Sequence, residues 1–272
     1  MNWKQGTICV GAMVAWIACV PVAMGQHAHT RHGAEPSVKE RQFQAGISAP
    51  DDIAPGRRFS ATIHIQDDEG KAVADFDIFQ EKLMHLILVR DDLSFFSHLH
   101  PTYQGNGRFL MEAILPLPGA YTLFCDYQPA GAKEQISVLN LRVKGMLPSA
   151  VRPDAGVTRK VIGDVQVGIA FSPETVKANR DTVVVFDLKR AVNGRPVEGL
   201  RPYLGEKGHL VIIRESMPLS ARDYIHAHAT KEGGGSQIRF VTRFPDAGLY
   251  TLWCQFDMGG HVHTADFRVR VE

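Results

Sequence analysis

The sequence has few cysteines and almost no net charge, so neither a disulfide-linked fold nor a strongly basic binding surface is indicated. Only 4 of the 272 residues are cysteine, too few for a disulfide framework. The 30 lysine and arginine residues are balanced by 29 acidic ones, and a net charge of +1 argues against electrostatic binding of nucleic acid. No serine or cysteine stands in a nucleophile motif, so hydrolysis through a covalent intermediate is not indicated.

Long hydrophobic runs are also scarce, and the one that stands out lies at the N-terminus. Lys4 is the only charged residue before Arg31, and residues 8–24 are almost entirely apolar. One positive charge, a short apolar stretch and then small residues are typical of a secretory signal peptide. We therefore predict a signal peptide over residues 1–25 and a periplasmic or secreted mature chain with no membrane span. An uncleaved membrane anchor is the alternative.

An internal repeat fills most of the remaining chain. His85 and His209 lead matching apolar segments 124 residues apart, and Cys125 and Cys254 end matching segments 129 residues apart. Because the order of the matching segments is kept throughout, the repeat indicates two homologous domains. The predicted parts are a histidine-bearing tail over residues 26–42, domain one over 43–145, a linker over 146–157 and domain two over 158–272.

Both predicted domains carry the sequence pattern of β-strands. Segments such as 60–66 and 182–189 alternate in polarity or are rich in β-branched residues over strand lengths. Turn signals such as Asn193-Gly194 separate them. Many short strands at regular spacing are typical of sandwiches and barrels. We predict an all-β chain of two tandem β-sandwich domains with an immunoglobulin-like or cupredoxin-like Greek-key topology.

Histidine is the residue type in excess, with 12 in the chain, and most of them fall on the repeat. Residues two apart on a strand share a face, so each His-x-His pair of domain two presents both imidazoles to one side. Strand parity also predicts that Cys254 and the last His-x-His pair point inward. The predicted main metal site comprises His209, His226, His228 and His263, with Cys254, His261 and Met258 as accessory or alternative ligands. A weaker second site is predicted from His85, His98, His100 and Cys125. Imidazole with thiolate or thioether ligands favours copper, with zinc or iron as alternatives.

The end of domain two resembles the copper loop of cupredoxins. The run from Gly248 to Cys254 is followed by a loop rich in glycine and histidine and then by a last strand. The resemblance implies His209 and Cys254 as copper ligands. The sequence departs from the pattern at Asp257, where a cupredoxin has a histidine, and a standard blue-copper site is therefore not implied.

The two copies together are similar to YtkA-like secreted domains, over nearly all of residues 43–272. The similarity lies in the histidine-led strand, the His-x-His pair, the Pro-Gly-x-Tyr-x-Leu segment and the final Gly-His-Val-His-Thr-Ala strand. Such domains are associated with copper handling and respiratory oxidase assembly. The resemblance implies a copper-binding protein for buffering, tolerance or delivery, with a copper-accepting protein or a membrane oxidase or transporter as its partner. On this interpretation the chain is not an enzyme.

Two other function classes stay open. His226-Ala227-His228 followed by Glu232 has the spacing of a cupin-type iron or manganese site, which would make the protein a metalloenzyme. A metal-free interaction or assembly module, in which the sandwich itself is the functional part, is the third class.

Overall fold

Seventeen β-strands and one short 3-10 turn make up the regular structure of residues 42–146, 155–231 and 234–272, which this computed structural model describes. The prediction of an all-β chain with two tandem β-sandwiches is confirmed, and neighbouring strands of its four sheets run antiparallel. The predicted signal peptide, nearly all of the predicted tail and linker residues 147–154 lie outside the described residues.

Domain one consists of two four-stranded sheets packed face to face. Its strands are β1 (Phe43–Ser48), β2 (Arg58–Asp67), β3 (Met84–Arg90), β4 (Phe96–Leu99), β5 (Thr102–Tyr103), β6 (Arg108–Ile114), β7 (Gly119–Tyr127) and β8 (Gln135–Val143). The outer sheet has the order β1-β2-β6-β5 and the inner sheet the order β4-β3-β7-β8. Alternate residues of β2 and β6, such as Ile63 and Phe109, point between the sheets because successive strand residues face opposite sides.

Domain two repeats this arrangement. Its strands are β9 (Arg159–Ile162), β10 (Val165–Ser172), β11 (Asp181–Arg190), β12 (Leu200–Arg201), β13 (His209–Arg214), β14 (Tyr224–His228), β15 (Gln237–Arg243), β16 (Gly248–Met258) and β17 (His261–Val271). The 3-10 turn, Ala221–Asp223, precedes β14. The outer sheet has the order β9-β10-β11-β15 and the inner sheet the order β14-β13-β16-β17, with β12 also paired to the end of β16. Phe186, Phe240 and Phe267 fill the space between these sheets.

The inner sheets of the two domains pack against each other through a third apolar cluster. All seven residues of β3 are buried, which explains why its central residues, Leu86 to Val89, are apolar on both faces instead of alternating. Phe96 of domain one stacks on Trp253 of domain two with ring centroids 4.8 Å apart, and Tyr224 of domain two stacks on Phe124 of domain one at 4.9 Å. Phe96 and Tyr224 occupy equivalent positions in the two domains, as do Phe124 and Trp253. Each stack therefore joins the same two positions with the domains interchanged, as at a two-fold interface.

Within the described ranges, no helix is both long enough and apolar enough to cross a membrane.

Candidate metal centre

Six histidines meet where the two inner sheets join, three from each domain. They are His85, His98 and His100 of domain one and His209, His226 and His228 of domain two. Antiparallel register fixes the domain two set, since His209 lies directly opposite His228 on the neighbouring strand. Rings also approach across the junction, with centroids 5.4 Å apart for His85 and His226. The fold therefore brings three histidines of the main predicted set and three of the weaker one to one place.

The three histidines of domain one are grouped closely enough to hold one ion. One nitrogen from each of His85, His98 and His100 lies within 4.8 Å of the others. His100 Nε2 is buried and has no hydrogen-bond partner among the described residues. A buried, unpartnered ring nitrogen is costly unless it has a ligand to bind, so this position suits a metal ion.

Hydrogen bonds determine which nitrogens of domain one are available to a cation. The carbonyl oxygen of Phe79 accepts a hydrogen bond from His85 Nε2 at 3.2 Å. The side-chain oxygen of Gln255, from domain two, accepts one from His98 Nδ1 at 2.7 Å. Both donor nitrogens carry the proton of a neutral imidazole, so the other nitrogens carry lone pairs. These two, His85 Nδ1 and His98 Nε2, face each other at 3.1 Å.

The same pattern recurs in domain two. His209 Nε2 donates to the carbonyl oxygen of Tyr203 at 2.9 Å, and His226 Nδ1 donates to Asp126 Oδ2, from domain one, at 3.0 Å. His209 Nδ1 and His226 Nε2 then face each other at 3.4 Å. In each half, therefore, one imidazole is oriented by its own domain and another by the partner domain.

Two equivalent tight turns supply the carbonyl partners. One turn is closed by paired backbone hydrogen bonds between Phe79 and Lys82, the other by those between Tyr203 and Glu206. Both central residues of each turn have positive φ, as a type I′ turn requires: Gln80 (47°) and Glu81 (64°), Leu204 (53°) and Gly205 (76°). The turns also bring the Phe79 and Tyr203 rings against His85 and His209.

Burial keeps five of these imidazoles neutral. It lowers the pKa of His85 and His226 to about 3 and that of His100 and His209 to about 4, from 6.5. The pKa of His98 is also well below its usual range. Burial is the largest cause in each case, and positive charge on neighbouring groups adds to it. Neutral imidazole is the form that binds metal ions.

A pair of carboxyl groups lies beside the domain two set. Asp126 is fully buried, accepts hydrogen bonds from His226 and from the Tyr224 hydroxyl, and has its pKa raised by burial to about 7. The pKa of Glu134 is also raised to about 7, first by burial and then by the charge of nearby Asp126. This end of the centre therefore includes groups that can become negative next to a cation.

The two cysteines and Met258 lie apart from the histidine centre. Cys254 is directly opposite Leu210 in the sheet and faces the core of domain two, whereas the next residue, Gln255, is opposite His209 and faces the junction. Cys125 occupies the equivalent position in the core of domain one. Both thiols are free and fully buried, and burial raises the pKa of each. Met258 packs in the same core as Cys254.

The last His-x-His pair is likewise not brought to the centre. His261 is exposed, and His263 stacks on Phe256 of the domain two core with ring centroids 5.4 Å apart. The intervening sheet separates both from His209, because the strand residue that meets Gln255 on the junction side is Thr264. Glu232, the carboxylate of the cupin-type spacing, lies outside the described residues.

Sequence reasoning missed the residues that orient the imidazoles. Asp126 and Gln255 follow the two matched cysteines, and each is a polar residue within an otherwise apolar strand segment. That break in the apolar pattern, at equivalent places in both copies, was a usable signal. The carbonyl groups of Phe79 and Tyr203 left no such signal, because their role depends on backbone geometry.

A family model described as Domain of unknown function (DUF8832) matches the chain twice, over residues 39–145 and 160–272. No curated protein matches it. Solved structures with similar segments include a mutant of Salmonella alpha-2-macroglobulin (12% identity, TM-score 0.27, 84% of this chain and 15% of that one). Red sea bream transglutaminase is 10% identical, with a TM-score of 0.25 over 85% of this chain and 31% of that one. MtrC from Shewanella baltica is 7% identical, with a TM-score of 0.26 over 83% of this chain and 68% of that one. This chain thus spans less than a third of the length of the alpha-2-macroglobulin and of the transglutaminase.

Proposed function

The chain belongs to the DUF8832 family, in two tandem copies, and we propose that these copies together form a metal-binding protein. In this proposal His85, His98 and His100 hold a transition-metal ion, with copper as the first candidate. The protein buffers copper, confers tolerance to it or delivers it in the periplasm or outside the cell.

The single observation that carries this proposal is the pair of lone pairs facing each other within domain one. His85 Nδ1 and His98 Nε2 are 3.1 Å apart, and each ring's proton is on its other nitrogen. Two lone pairs at this distance repel unless a cation lies between them. A proton is disfavoured there, because burial lowers the pKa of both rings. Two nitrogens bound to one tetrahedral ion at ~2.0–2.1 Å are about 3.3 Å apart, close to the observed distance.

The ligand chemistry supports copper in its divalent form. With both thiols and Met258 in the domain cores, the centre offers imidazole nitrogen rather than sulfur. Imidazole suits copper, zinc, iron and nickel, and among divalent first-row ions copper binds most tightly to a given nitrogen site. Zinc and iron remain the competing ions. The resemblance to YtkA-like and cupredoxin-like domains stays a prediction that agrees with this choice.

The cellular role rests on the predicted signal peptide over residues 1–25. A secreted histidine centre that binds copper suits buffering, tolerance or delivery. Delivery would require a copper-accepting protein or a membrane oxidase or transporter as partner.

A titration of the full chain with Cu(II) tests the proposal. His100→Asn removes a ring whose Nε2 has no other partner in the described structure, so it should reduce the affinity of one bound ion at least tenfold. His261→Asn/His263→Asn is the matched control, because it removes a His-x-His pair outside the centre. Equal binding by wild type and His100→Asn, or an equal loss in the control, would overturn the proposal.

The optical spectrum of the copper-loaded chain gives a second readout. Nitrogen ligands alone should give only weak visible bands. An intense thiolate-to-copper band would place Cys254 or Cys125 on the metal and contradict the histidine-only ligand set.

A further inference from the structure

We propose that His209, His226 and His228 hold a second metal ion, so that the junction is a two-ion centre with one ion in each half. The inference rests on the proposed function, because it takes the domain one histidines as the first site. The number of ions is nevertheless a separate claim and has its own test.

The first support is that domain two repeats the facing lone pairs. His209 and His226 each donate a proton from one ring nitrogen to an oxygen, and their other nitrogens are 3.4 Å apart. This distance is close to the about 3.3 Å expected for two nitrogens on one tetrahedral ion. The repulsion that a cation would relieve in domain one therefore exists independently in domain two.

One ion cannot satisfy all six imidazoles in this arrangement. Six nitrogens bound to one ion at ~2.1 Å would all lie within about 4.2 Å of one another. Among the described residues, the group whose ligand atoms lie within 4.8 Å of one another comprises only His85, His98 and His100. An ion held by those three is therefore not also bound by the domain two rings. His209, His226 and His228 do not form such a group as they stand, so a second ion requires His228 to turn toward the other two.

Two carboxyl groups that can become negative next to a second cation lie beside the domain two histidines. Asp126 bonds to His226 through Oδ2, and its Oδ1 is buried with no hydrogen-bond partner in the described part of the chain. Glu134 is close enough to Asp126 for the Asp126 charge to raise its pKa, and it also interacts electrostatically with His228. Because a buried cation is costly unless it is paired, these carboxyls favour an ion on this side.

His228 is the ligand that would close the second site. Its ring centroid is 5.2 Å from that of His226 and 6.5 Å from that of His209, whereas His100 is 4.7 and 5.0 Å from its two partners. His228 is exposed, so its side chain can turn toward the other two without disturbing the core. We expect the second ion to bind more weakly than the first, because its binding requires this rearrangement of His228.

Equilibrium dialysis of the full chain against Cu(II), with copper per chain measured by mass spectrometry, tests the number of ions. His98→Asn/His100→Asn should lose one bound ion relative to wild type. His226→Asn/His228→Asn should also lose one, and the combined variant should lose two. His261→Asn/His263→Asn is again the matched control and should lose none. Histidines in the predicted tail are the same in every variant, so the differences between variants count the ions at the junction.

Because His226 is buried, His228→Asn alone provides a second test in a variant whose fold is not at risk. It should reduce the affinity of the second ion at least tenfold and leave the first unchanged. If both domain two variants bind as much copper as wild type while the domain one variant loses an ion, the proposal of a second ion is wrong and the proposed function stands. If the domain one variant loses nothing, the proposed function itself fails.

Discussion

The two halves of the junction have the same imidazoles and differ in what surrounds them. His98 is oriented by the neutral amide of Gln255, whereas His226 is oriented by the carboxyl group of Asp126. These partners come from equivalent positions, directly after the matched cysteines. The two copies thus share the candidate ligand histidines and differ in the groups that orient them.

The third histidine differs as well. His100 is partly buried and close to both of its partners, whereas its equivalent, His228, is exposed and further from His209. Domain one therefore has the more preformed site, and domain two has the site with the stronger electrostatic support. The following predictions test this contrast, beginning with the contacts that hold the halves together.

Breaking the aromatic stacks should have the largest effect. Trp253 is 5% exposed and stacks on Phe96, and Phe124 makes the equivalent stack with Tyr224. We expect Trp253→Ala and Phe124→Ala each to lower the free energy of unfolding by ~3–5 kcal/mol, as for other large-to-small core changes. Denaturant unfolding measures this, with the half-exposed Val262→Ala as control. If only one of the two lowers stability, the halves are not packed equivalently.

Acid should destabilise the metal-free protein. An imidazole with a pKa near 6.5 when unfolded and about 3 or 4 when folded stabilises the fold above pH 6.5, and this stability is lost as the pH falls toward 4. Between pH 7 and 5 the loss is roughly 2 kcal/mol for each fully buried histidine. Asp126 and Glu134 act in the opposite direction, because their raised pKa means that the folded state holds protons between about pH 4 and 7.

The five histidines outnumber the two carboxyls, so the net change is a loss of a few kcal/mol, measured by denaturant unfolding at pH 7 and 5. Both carboxyls belong to domain one but lie beside the domain two histidines, so Asp126→Asn removes one compensating group and should make the whole protein more acid-sensitive. Equal stability at the two pH values would show that the rings accept protons within the folded state.

Exchanging the orienting groups should change affinity selectively. Asp126→Asn keeps an acceptor for His226 but removes the charge, and we expect the domain two site to lose 10–100-fold in Cu(II) affinity, as is typical when such a partner is altered. The reciprocal change, Gln255→Glu, should strengthen the domain one site. Each is measured in a background that retains one site, His100→Asn for domain two and His228→Asn for domain one. A loss at both sites from Asp126→Asn would indicate general damage to the junction instead.

Much of the fold was predictable because its signals are local and repeated. Alternating segments such as 60–66 and turn signals such as Asn193-Gly194 report strands directly, and the matched segments show that the pattern occurs twice. The six histidines could be named for the same reason. Their meeting across the junction could not, because it depends on which face of each inner sheet packs against the other domain.

Strand parity could not separate the residues that face the junction from those that face a domain core. Parity correctly placed Cys254 in a core. The prediction assumed, however, that each sheet has only one buried face. The inner sheets are buried on both faces, so "inward" had two meanings, the domain core for Cys254 and the junction for His209. The apolar run from Leu86 to Val89 in β3, with no polar alternation, was the sequence feature that indicated a second buried face.

The smallest predicted effect concerns the cysteines. The sequence predicted one of them as a ligand in each site, Cys254 in the main site and Cys125 in the weaker one. Cys254→Ala and Cys125→Ala each remove a buried sulfur from a domain core and should lower the free energy of unfolding by about 1 kcal/mol. Neither should change Cu(II) affinity by more than about twofold, because each thiol lies across the sheet from the imidazoles. Isothermal titration of both variants beside wild type measures this. A tenfold loss in either would mean that copper recruits sulfur by opening a core, and a loss in one alone would make the two halves chemically different sites.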